Sequence, residues 1–482
     1  MLVKRGERMS FSFNGETRDY LKVLRGRKRP AWASVTRGLL IVPGKPGGYL
    51  QNTAIQPRTI DVPVMIEGEN IANLQKIKED LASWLVTEEP KELIFEDEPD
   101  RVYFAIVDET FDPDELVRVG QGTIKFICPD PYKYGLEKEA IFPSDVVSLN
   151  YEGTAPGEPV FELEVLQPVT FAMIQNQNDE YMLIGKPVNV EEQIPIEREQ
   201  RIFWSEANDL TGWATGNGID GAVAGSIQTD GYRFYPASYG TGTGWHGPAI
   251  KTSLPEVLEH FRVDALVDFF NSGSSVGRVE IYLLDDAGAV IGKIALKDIT
   301  AHYAETYGEA RVGDSNINYH LIDQTGDTPS AWNNFYGMLR IGRYDGQWFA
   351  YIAKIDPKTG VHTARMYRSW KDTAGQFTKN LAQVMIHFGQ MGTYTPATVK
   401  LHDIKVFKWN PITQADIPYI AYEGDKITFD HKDKNILING ETRLDLKDFG
   451  ARFFKLKPGE NILTVYPEQA FNVTCRYRKR FK

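Results

Sequence analysis

The chain has 482 residues, with 54 basic and 65 acidic side chains, 42% hydrophobic and 25% charged residues. That composition belongs to a globular chain and excludes wholesale disorder, while the length exceeds what one core holds and gives roughly three domains at about 150 residues each. The net charge of −11 divides by count into −11 over 1–202, −3 over 203–410 and +3 over 411–482, so no domain-sized segment offers the basic face that a phosphate-backbone reader needs.

No run approaches the ~18 apolar residues of a membrane span, and the opening MLVKRGERMS lacks the apolar centre of a secretory signal. Residues 1–8 read as an extension. From Met9, MSFSFNGETRDY predicts a strand, an Asn14-Gly15 hairpin turn and a second strand. Arg25, Arg27, Lys28 and Arg29 form a short basic run that reads as a strand end or as inter-subunit salt bridges. Pro30, Pro43 and Pro46 with Gly44, Gly47 and Gly48 mark a loop, and QPRTIDVPVMIEG a further strand.

One convincing helix follows. Asn70 can cap it, Ile71, Leu74, Ile77, Leu81 and Trp84 recur at three-to-four spacing, and Pro90 forbids continuation. Strands at KELIFEDEP, RVYFAIVDE and GQGTIKFICPDPYKYG complete an α+β domain over 9–135, closed by the prolines of 129–132. Short strands at PVFELEVLQP, VTFAMIQNQ and EYMLIGKPV stop near Gln200 and resume after Pro411 with DKITFDHKDKNILINGE, ARFFKLKPGENILTVYP and FNVTCRYRKRF. Neither run closes a sandwich alone, so 136–202 plus 411–482 are predicted to form one β-sandwich interrupted by 203–410. Cys128 and Cys475 alternate with apolar residues and read as buried free thiols. The last basic run, Arg476, Arg478, Lys479, Arg480 and Lys482, has the same reading as the first.

The block 203–410 differs from its flanks. It holds seven of the nine tryptophans and seven of the eight histidines. Hairpin patterns occur at GRVEIYLLDDAGAVIGKIALKD, turning at Asp286, Ala287 and Gly288, and at GQWFAYIAKIDPKTGVHTARMYRSW, turning at Pro357 to Gly360. About 200 residues of such strands fit an inserted two-sheet jelly roll.

These patterns carry a resemblance. The ENIANLQKIKEDLASWL helix after IEGE, with FEDEPDRVYFAIVD and TIKFICPDPYKYG, resembles the N-terminal domain of the distal tail protein (Dit) family of long-tailed phages. The closing GDKITFDHKDKNILINGE and RFFKLKPGENILTV resemble that family's galectin-like C-terminal domain, so the likeness covers about 9–200 and 411–482. It implies a virion protein at the distal end of the tail, made in the host cytoplasm. It further implies a homo-hexameric ring that joins the tail tube protein to the tail-tip or tail-associated protein. Some members carry a carbohydrate-binding module inserted in the galectin-like domain, which implies a host cell-wall saccharide as a further partner. Membrane contact and sequence-specific nucleic-acid contact are not expected.

Sugar binding on a jelly roll needs aromatic faces for the pyranose C–H bonds, with amides and carboxylates nearby for the hydroxyls. Two runs supply both. YPASYGTGTGWHG carries Tyr235, Tyr239, Trp245 and His246, and PSAWNNFYG carries Trp332, Asn333, Asn334 and Tyr336; Trp370 is a further candidate. Each aromatic has core packing as its competing role. Trp348 and Trp409 alternate with apolar neighbours and are expected in the core, and Trp204 and Trp213 are expected to seal the entry to the block. No cofactor is expected, although Asp285, Asp286, Asp323 and Asp327 could give oxygens to calcium; their spacing matches no calcium loop, and turns use Asp for local hydrogen bonds.

An enzyme is not expected. Glycanases need two carboxyls about 5–9.5 Å apart; the near case, Glu256 with Glu259, sits in the loop-like LPEVLEH, and Glu280 stands alone. Hydrolase, zinc and P-loop motifs are missing, and His246, His260, His302, His320, His362, His387 and His402 lack metal-ligand spacing and read as surface or cavity residues. The reading is therefore a baseplate hub with a saccharide-binding insert. Its alternatives are a hub whose insert contacts only other tail proteins, or a cell-wall polysaccharide depolymerase.

Overall fold

The computed structural model describes residues 10–188, 195–413 and 416–482, so the expected extension 1–8 lies outside the described residues. The fold is mainly β, as the strand patterns require. An antiparallel sheet near the N-terminus runs in the order Phe11–Phe13, Lys91–Phe95, Tyr103–Asp108, Val119–Cys128, Arg58–Glu67, Leu21–Val23. The helix Ile71–Leu85 covers it. Asn70 Oδ1 accepts from Asn73 N at 2.9 Å to cap the first turn, and Leu74, Leu81 and Trp84 are buried against the sheet. Trp84 Nε1 donates to Phe13 O at 3.0 Å and its ring stacks on Phe11. No described helix is long and apolar enough to cross a membrane.

Two expectations for this region need correction. Asn14 and Gly15 do form a tight turn at positive φ, but it closes only a Phe13–Glu16 bridge, and the next strand, Leu21–Val23, pairs with Arg58–Glu67 instead. The proline-glycine stretch read as a loop lies at the tip of a two-stranded arm, Val35–Leu40 with Tyr49–Ile55, whose residues have almost no core to enter. Cys128 is a buried free thiol, as is Cys475 farther on.

The next two sheets draw strands from both sides of the tryptophan-rich block. One orders Lys133–Ile141, Phe471–Phe481, Val160–Val165, Lys426–Asp430, Asn435–Ile438, Glu441–Thr442; the other orders Val146–Tyr151, Gly459–Tyr466, Phe171–Asn176, Tyr181–Gly185. Alternation puts Phe161, Leu163 and Val165 inward against Ile174, Ile184, Leu463 and Val465. Each such side chain contributes about 1.5–3 kcal/mol relative to exposure. His431 is buried in this sandwich among Phe161, Phe453 and Phe454. The two basic runs are ion-paired within the chain: Arg29 with Asp97 and Glu98, Arg478 with Glu92 at 3.1 Å and Arg480 with Asp130 at 3.0 Å, the last two tying this sandwich to the N-terminal sheet.

Every strand from Glu199–Ser205 to Thr398–Trp409 belongs to a second sandwich. An eight-stranded sheet contains the strands Ser226–Thr229, Phe234–Ser238, Thr398–Trp409, Phe261–Phe270, Phe335–Tyr344, Gln347–Ile355 and His362–Lys371, with Glu199–Ser205 on Thr398–Trp409. A nine-stranded sheet faces it, centred on Leu381–Met391, Gly277–Leu284, Val290–Asp298 and Tyr307–Gly313. Between them lies an apolar core containing Phe261, Ile281, Trp332, Trp348 and Phe388. The chain enters and leaves this sandwich at one place: Asn410 N donates to Arg198 O at 2.8 Å, and Asn410 Nδ2 to Glu197 O at 2.8 Å. Glu256 lies on the strand Ala249–Leu258 and not in the loop read from LPEVLEH; it accepts from Lys408.

Candidate functional site

The face of the nine-stranded sheet turned away from the core is polar, and strand register sets its pattern. His387, Glu280, Ala295, Glu309 and Asp323 stand directly opposite one another across five strands. The adjacent row holds Met385, Tyr282, Lys293, Arg311 and His320. Glu280 is the hub of the network. It accepts from His387 Nδ1 at 2.7 Å, Tyr282 Oη at 2.9 Å and Lys293 Nζ at 3.0 Å. Lys293 also reaches Asp220 at 2.8 Å and Glu309 at 2.9 Å, and Arg311 reaches Asp220 at 2.8 Å.

A strap over residues 216–221 crosses this face. Asp220 N donates to Tyr282 Oη at 3.0 Å, and Arg278 Nη1 donates to Asp220 O at 3.3 Å. Gly221 is required there, because a Cβ would lie 2.6 Å from Trp245 O. Beyond the strap, the Arg278 guanidinium lies 3.7 Å from the centre of the half-buried Trp245 ring, over a floor made by Gly389, where a Cβ would lie 3.1 Å from the His387 ring and 3.5 Å from Trp245. His387 Nε2 is buried without a hydrogen-bond partner.

Burial alone would raise the Glu280 carboxyl, but Lys293, His387 and Arg278 outweigh it and hold it well below the usual carboxylate range. Asp220 and Glu309 are lowered in the same way against the same opposing burial. Lys293 is held charged, its burial overcome by Glu280, Glu309 and Asp220. Such carboxylates accept hydrogen bonds but do not suit general acid work, which needs a raised pKa. The face therefore offers fixed donors and acceptors with one aromatic ring beside them.

The sequence-predicted site residues divide. Trp332 is fully buried, with its Nε1 donating to Ala364 O at 2.8 Å, so its placement in an exposed loop is overturned: the segment turns inward and the ring fills the core under Gly308. Asn333 is spent on Thr306 N and Ala304 O, and Tyr336 packs edge-on against His402; Asn334 is exposed. Tyr235 and Trp245 lie on the short strands Phe234–Ser238 and Trp245–Gly247, half-buried, with Tyr239 and the fully buried His246 packed beside them. Trp370, at the edge of the other sheet, stacks on Tyr319 at 4.2 Å.

Several other expectations shift. Trp348 is core, but Trp409 is half-buried and stacks on Phe349 at 5.1 Å. Trp213 packs on Phe203 and Phe234, while Trp204 is 45% exposed and seals nothing. Among the described residues no three His, Cys, Asp or Glu side chains group as a metal site, and Asp285 and Asp323 are paired with Lys379 and Lys297. Glu280 and His387, read singly as isolated, are joined by strand pairing over 107 residues. Their signal was present in the charged residues alternating with apolar ones in RVEIYLL, KIALKD and GEARVG.

A family model described as the phage tail protein RIFT-related domain matches residues 16–128, and one described as the siphovirus-type tail component, C-terminal domain, matches 389–481. The distal tail protein of Bacillus phage SPP1 is 28% identical over 120 residues, 25% of this chain and 47% of the relative. Both ends of the chain are thus similar to siphovirus-type tail proteins. The chain spans about half the length of the curated relative it matches. Among solved structures, the CBM2 module of the evolved Dit of Lactobacillus casei BL23 phage J-1 is similar over 45% of this chain and 100% of its own, at 16% identity and a TM-score of 0.39. The SPP1 Dit crystal structure is similar over 38% of this chain and 76% of its own, at 20% identity and a TM-score of 0.34.

Proposed function

We propose that the chain is a structural hub at the distal end of the virion tail and that residues 199–409 are an inserted module that binds a host cell-surface saccharide. The observation that carries this reading is topological. The module occupies one connection of a sandwich whose sheets are closed by strands from both sides, and its ends meet at the Arg198–Asn410 hydrogen bond. A unit so attached adds a function without disturbing its host.

The arm of the N-terminal region supports assembly into a hexameric ring. Leu39, Ile41, Tyr49 and Leu50 are all more than half exposed, and a neighbouring copy would cover this apolar ribbon. The ring would contact the tail tube on one side and the tip proteins on the other. On the module, Tyr235, Trp245 and Trp370 keep ring surface within reach of a ligand, whereas Trp332 does not. The role is binding and scaffolding, not catalysis.

Competition tests the reading. Purified chain added to host cells should block phage adsorption, and Trp245→Ala should weaken the block with the melting temperature held. Undiminished adsorption at saturating chain would overturn the saccharide role and favour a module that contacts only tail proteins; shortened cell-wall polymer would favour a depolymerase.

A further inference from the structure

An open cleft lies between the inserted module and its host sandwich. The cleft has a volume of about 790 Å³, and both parts contribute walls. Ligand clefts commonly have about this size and occur at domain junctions. On the module side three rings form a staircase: Trp409 stacks on Phe349 at 5.1 Å and 15°, and Phe349 on Tyr367 at 6.4 Å and 24°. Tyr367, at the open end, is 56% exposed. On the host side stand Tyr422, Glu423 and Asp445, the two carboxylates exposed.

The walls are held at a fixed separation. Arg340 from the module makes a two-oxygen contact with Glu441 of the host at 2.9 and 3.0 Å, while its other edge reaches Asp264 at 2.8 Å. Tyr422 Oη donates to Glu199 O at 3.3 Å, and His362 N to Gly440 O at 3.1 Å. The space is thus bounded by directional contacts and is not a gap between loosely touching bodies.

The lining selects a ligand class. Five cationic and seven carboxylate side chains line the cleft, an excess of negative charge that opposes an anionic polymer. Rings with carboxylates and guanidinium groups beside them suit a neutral polyhydroxylated ligand, whose C–H faces stack and whose hydroxyls donate to carboxylates. The geometry points to a composite site between module and host that takes a neutral oligosaccharide. The inference rests on the saccharide-binding reading of the module and adds that the host sandwich supplies half of the site. Bound sugar would then brace the module against the hub.

The test uses the full chain on an array of neutral, uronic-acid-containing and phosphorylated oligosaccharides. At least one neutral oligosaccharide should bind. Tyr367→Ala on one wall and the double change Glu423→Gln with Asp445→Asn on the other should each weaken that binding about tenfold or more. Binding of acidic glycans alone, binding of none, or insensitivity to either wall would overturn the composite site. The two readings separate cleanly: if these variants bind like the parent while the chain still blocks phage adsorption, the cleft is wrong and the module's role stands. If the parent chain blocks nothing, the role itself fails.

Discussion

The two sandwiches of this chain bury apolar residues by the same rule but differ in the polar groups they bury. The host sandwich encloses one histidine among phenylalanine rings, with His431 Nδ1 placed 3.0 Å from Phe454 O and 3.1 Å from Phe454 N. Burial, aided by Lys434, pushes the His431 ring down to about 3, so it stays neutral. The module instead keeps a charged network under its strap, with Glu280, Lys293 and His387 all buried. One architecture therefore tolerates a neutral polar group by desolvating it and charged groups by pairing them.

The largest expected effect breaks that pairing. Lys293→Met leaves Glu280, Asp220 and Glu309 without their shared cation and should lower module stability by about 3–5 kcal/mol. Calorimetry should show the module's transition falling while the host's holds. Trp332→Ala should cost a similar amount, about 3–5 kcal/mol, through the cavity it leaves; an unchanged transition would return Trp332 to the list of ligand contacts.

Acid sharpens the contrast. An unfolded histidine takes a proton near pH 6.5, whereas folded His431 does not until about pH 3, so its stabilising contribution is full above 6.5 and is lost as pH falls between those values. The loss is on the order of 5 kcal/mol. Burial raises the neighbouring Asp430 carboxyl, which acts in the opposite sense. The module's Glu280, Asp220 and Glu309 carboxyls are depressed, so their contribution holds down to the ordinary carboxylate range and fades only below it. Burial also lowers the module's His362 ring, by less than His431, so between pH 7.5 and pH 5 the host transition should fall further than the module's, and His431→Gln should flatten the host's slope. The smallest effect concerns the junction: Glu441→Gln removes one charge from a partly exposed pair with Arg340 and should cost about 1 kcal/mol, more at low salt than high.

How much of this was legible depended on the range of the interaction. Asn70, the spaced apolar residues and Pro90 specified the helix locally, and Gly288 and Gly360 marked both module hairpins by turns at positive φ. The arm at 35–55 was hidden because its prolines and glycines read as a loop while its strands pack on nothing. Trp332 was misplaced because sequence shows a polar loop but not which way it folds. The Glu280–His387 contact depends on the pairing of Gly277–Leu284 with Leu381–Met391, and the interdomain cleft on where Glu441 meets Arg340. Neither register nor domain docking is written in local periodicity.

Excision tests the central claim most directly. Joining Arg198 to Asn410 through a short Gly-Ser linker removes the module at the point where its ends already touch. Light scattering and host-cell binding, measured on the parent and the excised chain side by side, should show both assembling as rings of about six copies and only the parent binding cells. An excised chain that still binds host cells as the parent does, or that no longer forms the ring, would contradict a separable adsorption module carried on a tail hub.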